Sequence, residues 1–416
     1  MSLGGKIPAS FSAPLLAILA LHMVCESAVI PILAAALAEP ASPEIDMLLG
    51  MSEKAHKFAY GMTLAAYPIA VFFCAPIIGA LSDAAGRRAV LLACLAGSAA
   101  GCAAQSAGAA AASLWIFVLG RIAVGATAGV DGAVQAALVE RCESERQKNF
   151  YLGASLLAMS VGFIAGPAFA APFIGYGRFG LAAPFAVLAP LFALSGAILV
   201  KGFPKDKKTA ARKKINPLSG LSDIRIFFKI KSARTLLAAV SLSQIASGCL
   251  SALIPVALME SFGFSIGKVA AFVSVQAVFS GAVFGFIGPK FLEIIPKKSV
   301  FKASMFFCVA ASCLPFFPQI GDLIWIDTLI APLGFALSYF TTASILSDSA
   351  VQSRRGWVLS VLSGMWGLNV GAGLCACAGA LCVSGSFAII LCAAISLAAF
   401  IFSLAKTDDF LIEDFC

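Results

Sequence analysis

Four ionisable residues stand inside long apolar stretches of the chain. His22 and Glu26 lie four residues apart within Phe11–Leu37, on one face of any helix there, and Arg121 and Asp131 lie within Leu114–Val139. Charged groups held away from water either pair off to cancel charge or take up and release a proton as their surroundings change. An imidazole, with an ordinary pKa near 6.5, suits the second task as well as a carboxyl does. Glu26 and Arg121 fall at similar depth, as do His22 and Asp131. Two pairs are therefore expected, Glu26–Arg121 and His22–Asp131, one of which changes protonation in operation; the alternative is that both serve as structural glue. Gln135 lies fourteen residues beyond Arg121, a turn of about −40°, and so on nearly the same face.

These groups need elements to hold them. Of 416 residues, 60% are hydrophobic and only 12% charged, with a mean hydropathy of +0.97, far from a soluble globular chain. Apolar runs of roughly 20 residues alternate with charged breaks, the length that crosses a hydrocarbon core. The runs are continuous rather than alternating, so they read as helices, whose backbone polar groups need no water. The expected fold class is all-α and polytopic, with twelve transmembrane helices in two six-helix bundles. The first six spans are Phe11–Leu37, Phe58–Ala80, Ala89–Gly108, Leu114–Val139, Phe150–Ile174 and Pro184–Val200; six more run at 235–259, 268–288, 299–317, 323–346, 356–382 and 385–405. The expected divisions are an N-terminal bundle (1–200), a basic cytoplasmic linker (201–234), a C-terminal bundle (235–405) and a cytoplasmic tail (406–416).

The +8 charge is unevenly spread, and eleven Lys/Arg fall between Lys201 and Arg234. Of 29 Lys/Arg, Lys54, Lys57, Arg178 and Lys268 fall outside and Arg121 within a span; the others lie on one side. That asymmetry puts both termini in the cytoplasm and explains the charge without nucleic acid. Most of the thirteen cysteines lie inside apolar runs, where they act as small packing residues, and no metal set is expected.

Between spans 2 and 3 runs Gly79-Ala80-Leu81-Ser82-Asp83-Ala84-Ala85-Gly86-Arg87-Arg88, too polar to lie in hydrocarbon. After span 8 comes Pro289 to Lys298. Setting Pro289 on Gly79 places Glu293 on Asp83 and Lys297 and Lys298 on Arg87 and Arg88. The offset of 210 nearly equals the 209 between Glu145-Arg146 and Arg354-Arg355, as expected of a six-plus-six duplication.

The segment Gly79-x-Leu81-Ser82-Asp83-x-x-Gly86-Arg87-Arg88 resembles the signature loop of the major facilitator superfamily. Gly120-Arg121-x-x-x-Gly125 looks like that superfamily's span-4 arginine motif. Gly153, Gly162 and Gly166-Pro167 in span 5 are similar to the antiporter motif of drug:proton exporters, and Leu119–Ala168 looks most like the tetracycline-efflux branch. Ala170-Ala171 departs from the glycine pair usual in those exporters. On a helix Gly162 and Gly166 share a face and Gly153 does not, which fits close approach of another helix, with Pro167 permitting a bend. The resemblance implies that Asp83 faces the start of span 11 near Gly356, and that Arg87 or Arg88 bridges to Glu140. Such a latch would close the cytoplasmic side.

The resemblance implies a secondary transporter working by alternating access, most simply a proton-coupled exporter of a small amphipathic or drug-like compound. Uptake of a metabolite such as a sugar, amino acid or siderophore is the alternative; a receptor or scaffold without transport is the third. The expected site is a bacterial inner membrane. The expected partners are a small-molecule substrate, protons and lipid, for a monomer without a cofactor beyond the proton gradient. In the C-terminal half only amides stand out, Gln244, Gln276 and Asn369, as substrate contacts or as helix–helix hydrogen bonds; Asp327, near the outer end of span 10, is expected to be solvated. With no phosphate-binding glycine loop, HExxH or Ser/His/Asp set, enzyme chemistry is not expected.

Overall fold

The structure, a computed structural model, describes residues 8–38, 45–203, 231–264, 266–349 and 355–405. Every regular element among them is helical. The expected basic linker and acidic tail fall almost wholly outside the described residues. The helices gather into two compact units, one of Met1–Asp223 with Ser353–Gly367, the other of Ile224–Gln352 with Leu368–Cys416.

The first unit holds α1 (Ala9–Leu33), α2 (Glu53–Ala85), α3 (Arg87–Ala110), α4 (Leu114–Thr127), α5 (Val130–Val139), α6 (Glu145–Ala170) and α7 (Gly177–Gly202). Helices overrun the apolar stretches because a helical backbone satisfies itself in water as well as in lipid. Thus the ten-residue turn expected between spans 2 and 3 shrinks to one residue: α2 continues to Ala85 and α3 starts at Arg87. Gly86 between them has φ +99°, a conformation that a side chain would strain. The predicted single span 4 is interrupted. Ala128 donates to the Gly125 carbonyl and Asp131 to that of Ala128, both three residues back, so a tightened turn separates α4 from α5.

Glycines set the close helix approaches. On Gly162 a Cβ would run into the backbone of Ala20, and on Gly166 into Ser27 and the Val24 carbonyl, so α6 lies directly on α1. Gly125 faces the Tyr67 carbonyl of α2, where a Cβ would come within 2.6 Å, and Gly120 faces Gln105 of α3. Both glycines flanking Arg121 are therefore contact points that seat α4 between α2 and α3. Gly153 is buried on α6, and the helix carries Pro167 within its last turn.

The second unit holds α8 (Lys231–Glu260), α9 (Ile266–Ala282), α10 (Gly288–Ile294), α11 (Lys297–Cys313), α12 (Asp327–Ala331), α13 (Leu337–Ser349) and α15 (Gly385–Ala405); α14 spans Arg355–Leu381. A π turn at Val283–Ile287 joins α9 to α10, and another at Pro332–Ala336 joins α12 to α13. Eleven stretches among the described residues are long and apolar enough to cross a membrane. One of them, Phe150–Gly202, holds both α6 and α7 around the 3-10 turn Ala171–Tyr176, which brings the passes to twelve.

Candidate functional site

Glu26 of α1 and Arg121 of α4 meet in the first unit. Arg121 Nη1 donates to Glu26 Oε2 at 2.5 Å and Nη2 to Oε1 at 3.2 Å, a two-pronged pair with Arg121 only 1% exposed. A proline supplies a further partner. Pro68 has no N–H, so the Leu64 carbonyl one turn back lacks its helical donor; Arg121 Nη2 takes it at 3.1 Å. The Arg121 guanidinium also lies 5.1 Å from the Tyr67 ring centre, and its Nε reaches the Thr63 carbonyl at 3.5 Å. Arg121 is thus held on several sides.

The expected His22–Asp131 pair does not form. His22 Nε2 instead shares a hydrogen bond with Ser98 Oγ of α3 at 3.0 Å, and Ser98 Oγ one with Thr127 Oγ1 at 2.8 Å. Depth places His22 and Asp131 at one level, but azimuth decides contact. The same face of α1 brings Cys25 to Cys102 of α3, with the sulfurs 3.4 Å apart, so His22 turns toward α3. Phe192 closes the ring's other side edge-on, with centroids 5.4 Å apart. Asp131 is buried in the first turn of α5, just past the tightened turn, and its Oδ1 has no hydrogen-bond partner among the described residues. That turn also interrupts the regular rotation between Arg121 and Gln135, which is half-buried on α5.

Two carboxyls in one bundle therefore differ sharply. Glu26 has a cation against both oxygens; Asp131 has no ion pair among the described residues. Ser98 and Thr127 escaped the sequence reading because hydroxyls are common in membrane helices and only ionisable groups and amides were singled out.

At the end of the unit marked by Gly86, Arg87 Nη1 donates to Ser82 Oγ at 2.9 Å and Nη2 to Glu140 Oε1 at 2.5 Å. Arg88 donates to the Val200 carbonyl at the end of α7. Of the two arginines, Arg87 is the one at Glu140. Gly79 is buried near the end of α2. Asp83 lies in the last turn of α2, and its expected contact near Gly356 falls outside the described side chains.

In the second unit Lys297, opening α11, donates to Ser344 Oγ at 2.8 Å and pairs with Asp348 near the end of α13. The amides do not assemble there. Gln244 donates to the Phe335 carbonyl at 3.4 Å, Asn369 is buried, and Gln276 is half-buried.

Twelve helical membrane passes among the described residues, with an intramembrane ion pair and glycine-seated helices in the first half, are the architecture of a polytopic transporter. The Major Facilitator Superfamily model matches residues 15–368, and the chain belongs to that superfamily. It is 37% identical over 164 residues to the class C tetracycline resistance protein of Escherichia coli, covering 38% of this chain and 40% of that protein. It is 31% identical over 190 residues to the class E protein of Escherichia coli, covering 41% and 44%. These matches span less than half the length of either relative. Among solved structures, the human organic anion transporter MFSD10 superposes with a TM-score of 0.76 at 17% identity, over 96% of this chain and 100% of that one. The Escherichia coli fucose:proton symporter FucP superposes with a TM-score of 0.66 at 16% identity, over 94% and 97%. At such identity these two speak for the fold alone.

Proposed function

We propose that the chain exports a small amphipathic or drug-like compound in exchange for protons, by alternating access, with Asp131 as the proton-carrying carboxyl of its first half. One observation carries this reading: of the two acids inside the spans of the first unit, Glu26 is cancelled by Arg121 and Asp131 has no such partner among the described residues. An ionised carboxylate without a partner in an apolar interior costs several kcal/mol, so Asp131 holds its charge only when water or a cation reaches it. A change of access at Asp131 is then a change of proton occupancy. The Glu26–Arg121 pair fixes α1 and α4 against each other and keeps a polar wall in place. The resemblance to proteins named for tetracycline resistance supports export and a tetracycline-like substrate class.

The Gly86 end faces the cytoplasm in this reading, where the Arg87–Glu140 pair joins the start of α3 to the end of α5. The test uses proteoliposomes with an imposed pH gradient and tetracycline as first probe, followed by other amphipathic drugs and then metabolites. Export predicts that a drug moves against the proton flow and collapses the gradient. Movement of a sugar or amino acid with the protons would replace this reading with uptake.

A further inference from the structure

Asp327 opens α12, directly after the 3-10 stretch Pro318–Ile326. Its place near a span end suggests a solvated side chain; instead it is 0% exposed. The helix it opens packs against α9 and α11, and in the turn before it Ile324 is buried and Trp325 packs against Phe272 and Phe264. Neither Asp327 oxygen has a hydrogen-bond partner among the described residues. Thr328, the next residue, turns its hydroxyl to the Trp325 carbonyl at 2.7 Å.

The elements packed on α12 are α9, α11, the Pro318–Ile326 stretch and the π turn Pro332–Ala336. The charges on α9 and the 3-10 stretch are Lys268 and Asp322, which hold each other at 2.5 Å, with Lys268 also over the Phe264 ring at 4.0 Å. On α11 the charges are Lys297, Lys298 and Lys302, all in its first two turns. The thiols Cys308 and Cys313 lie toward its other end. The π turn carries no titratable group. Beyond these, Cys392 of α15 lies within electrostatic reach of Asp327. Its thiol donates to the Ala246 carbonyl at 3.4 Å and adjoins Ser312, which bonds Ser396 at 2.6 Å. None of these cations is paired with Asp327.

We propose that Asp327 is a second proton-binding site, placed in the other half of the chain from Asp131 and exchanging its proton near the Lys268–Asp322 end of the unit. A fully buried carboxyl with neither oxygen hydrogen-bonded among the described residues is tolerable only as the neutral acid. The proton leaves when the Pro318–Ile326 stretch shifts and admits water or brings Lys268, the partner of Asp322, within reach. A metal cation fits poorly, because hard cations need six or more oxygens and no group of three or more His, Cys, Asp or Glu side chains gathers there among the described residues. The inference rests on the proton-coupled reading for its role in transport, but proton occupancy itself does not.

The test is infrared difference spectroscopy of the full-length protein in lipid, titrated with pH and without substrate. The expected result is a protonated-carboxyl absorption that disappears as pH rises while the helices persist, and that Asp327→Asn removes. Proton release on an alkaline pH jump should fall by one per chain in that variant. Asp327→Glu should shift the band rather than abolish it, which guards against a misfolded variant. An Asp327→Asn spectrum identical to wild type, or a band unchanged at every pH, would overturn the proposal. Because no substrate is present, failure of the efflux reading leaves this result intact, and Asp131→Asn, run in parallel, reports on that reading alone.

Discussion

Lys297 pairs with Asp348 in the second half of the chain as Arg87 pairs with Glu140 in the first. Each base opens the third span of its half, and each acid lies near the end of the fourth. Each base also takes a hydroxyl, Arg87 that of Ser82 on the second span and Lys297 that of Ser344 on the fourth. Alignment of the two loops puts Lys297 on Arg87; the matching acid, Asp348, lies two residues beyond the expected end of span 10.

Glu140→Arg should cut transport while costing less than about 1 kcal/mol of stability, because the Glu140 side chain is 51% exposed. The combined Arg87→Glu and Glu140→Arg exchange should restore part of the rate. Thermal unfolding beside a transport assay separates the two effects; an unfolded single variant would contradict a gating role.

Arg121→Ala should destabilise strongly, by about 3 kcal/mol, since it strands the Glu26 carboxylate, whose side chain is only 16% exposed. Adding Glu26→Gln should recover much of that loss. If the double variant is as unstable as the single, charge cancellation is not what Arg121 supplies. Arg121→Lys should rescue incompletely, because an ammonium cannot span both Glu26 oxygens and the Leu64 carbonyl.

Gly166→Leu should displace α1, which carries His22 and Glu26, because the added atoms meet Ser27 and the Val24 carbonyl. Overpacking of this kind costs about 1–3 kcal/mol. A cysteine crosslinking survey of α1 against α6 should show altered reach, and wild-type spacing would refute the close approach.

His56, outside the spans, offers a pH signature. Its Nε2 lies 3.0 Å from Asp46 Oδ1 and its Nδ1 3.1 Å from the Ser52 carbonyl. Both partners are acceptors, so the cationic ring serves both. The Ser52 carbonyl and the Asp46 carboxylate raise its pKa above 6.5, against the opposing effect of partial burial. A raised folded value means the stabilisation is complete below the unfolded pKa of about 6.5 and is lost as pH rises through the folded value. The melting temperature should fall over that window in wild type, and His56→Gln should flatten the slope. An unchanged slope in the variant would remove His56 from the account.

Much of the fold was legible because hydrocarbon is a harsh selector: it demands long apolar runs and leaves charges only where a partner or a task exists. Glu26 and Arg121 could be matched from depth alone. His22 and Asp131 could not, since rotation about the helix axis is set by contacts such as Cys25 with Cys102 that no hydropathy pattern records. The tightened turn before Asp131 was equally silent, because Ala128 and Gly129 carry no polar side chain to mark it. Asp327 misled for a related reason. Distance from a span end measures depth along the chain, whereas packing of α12 against α9 and α11 buries what depth alone would expose.

The central claim is that Asp131 carries the proton while Glu26 and Arg121 stay paired. It is tested most directly in proteoliposomes that compare substrate exchange with concentrative transport for Asp131→Asn, using whichever drug the wild type moves. The account predicts that this variant still exchanges labelled for unlabelled drug across the membrane but no longer concentrates it when a pH gradient is imposed. Concentration of the drug by Asp131→Asn to the wild-type level would contradict it.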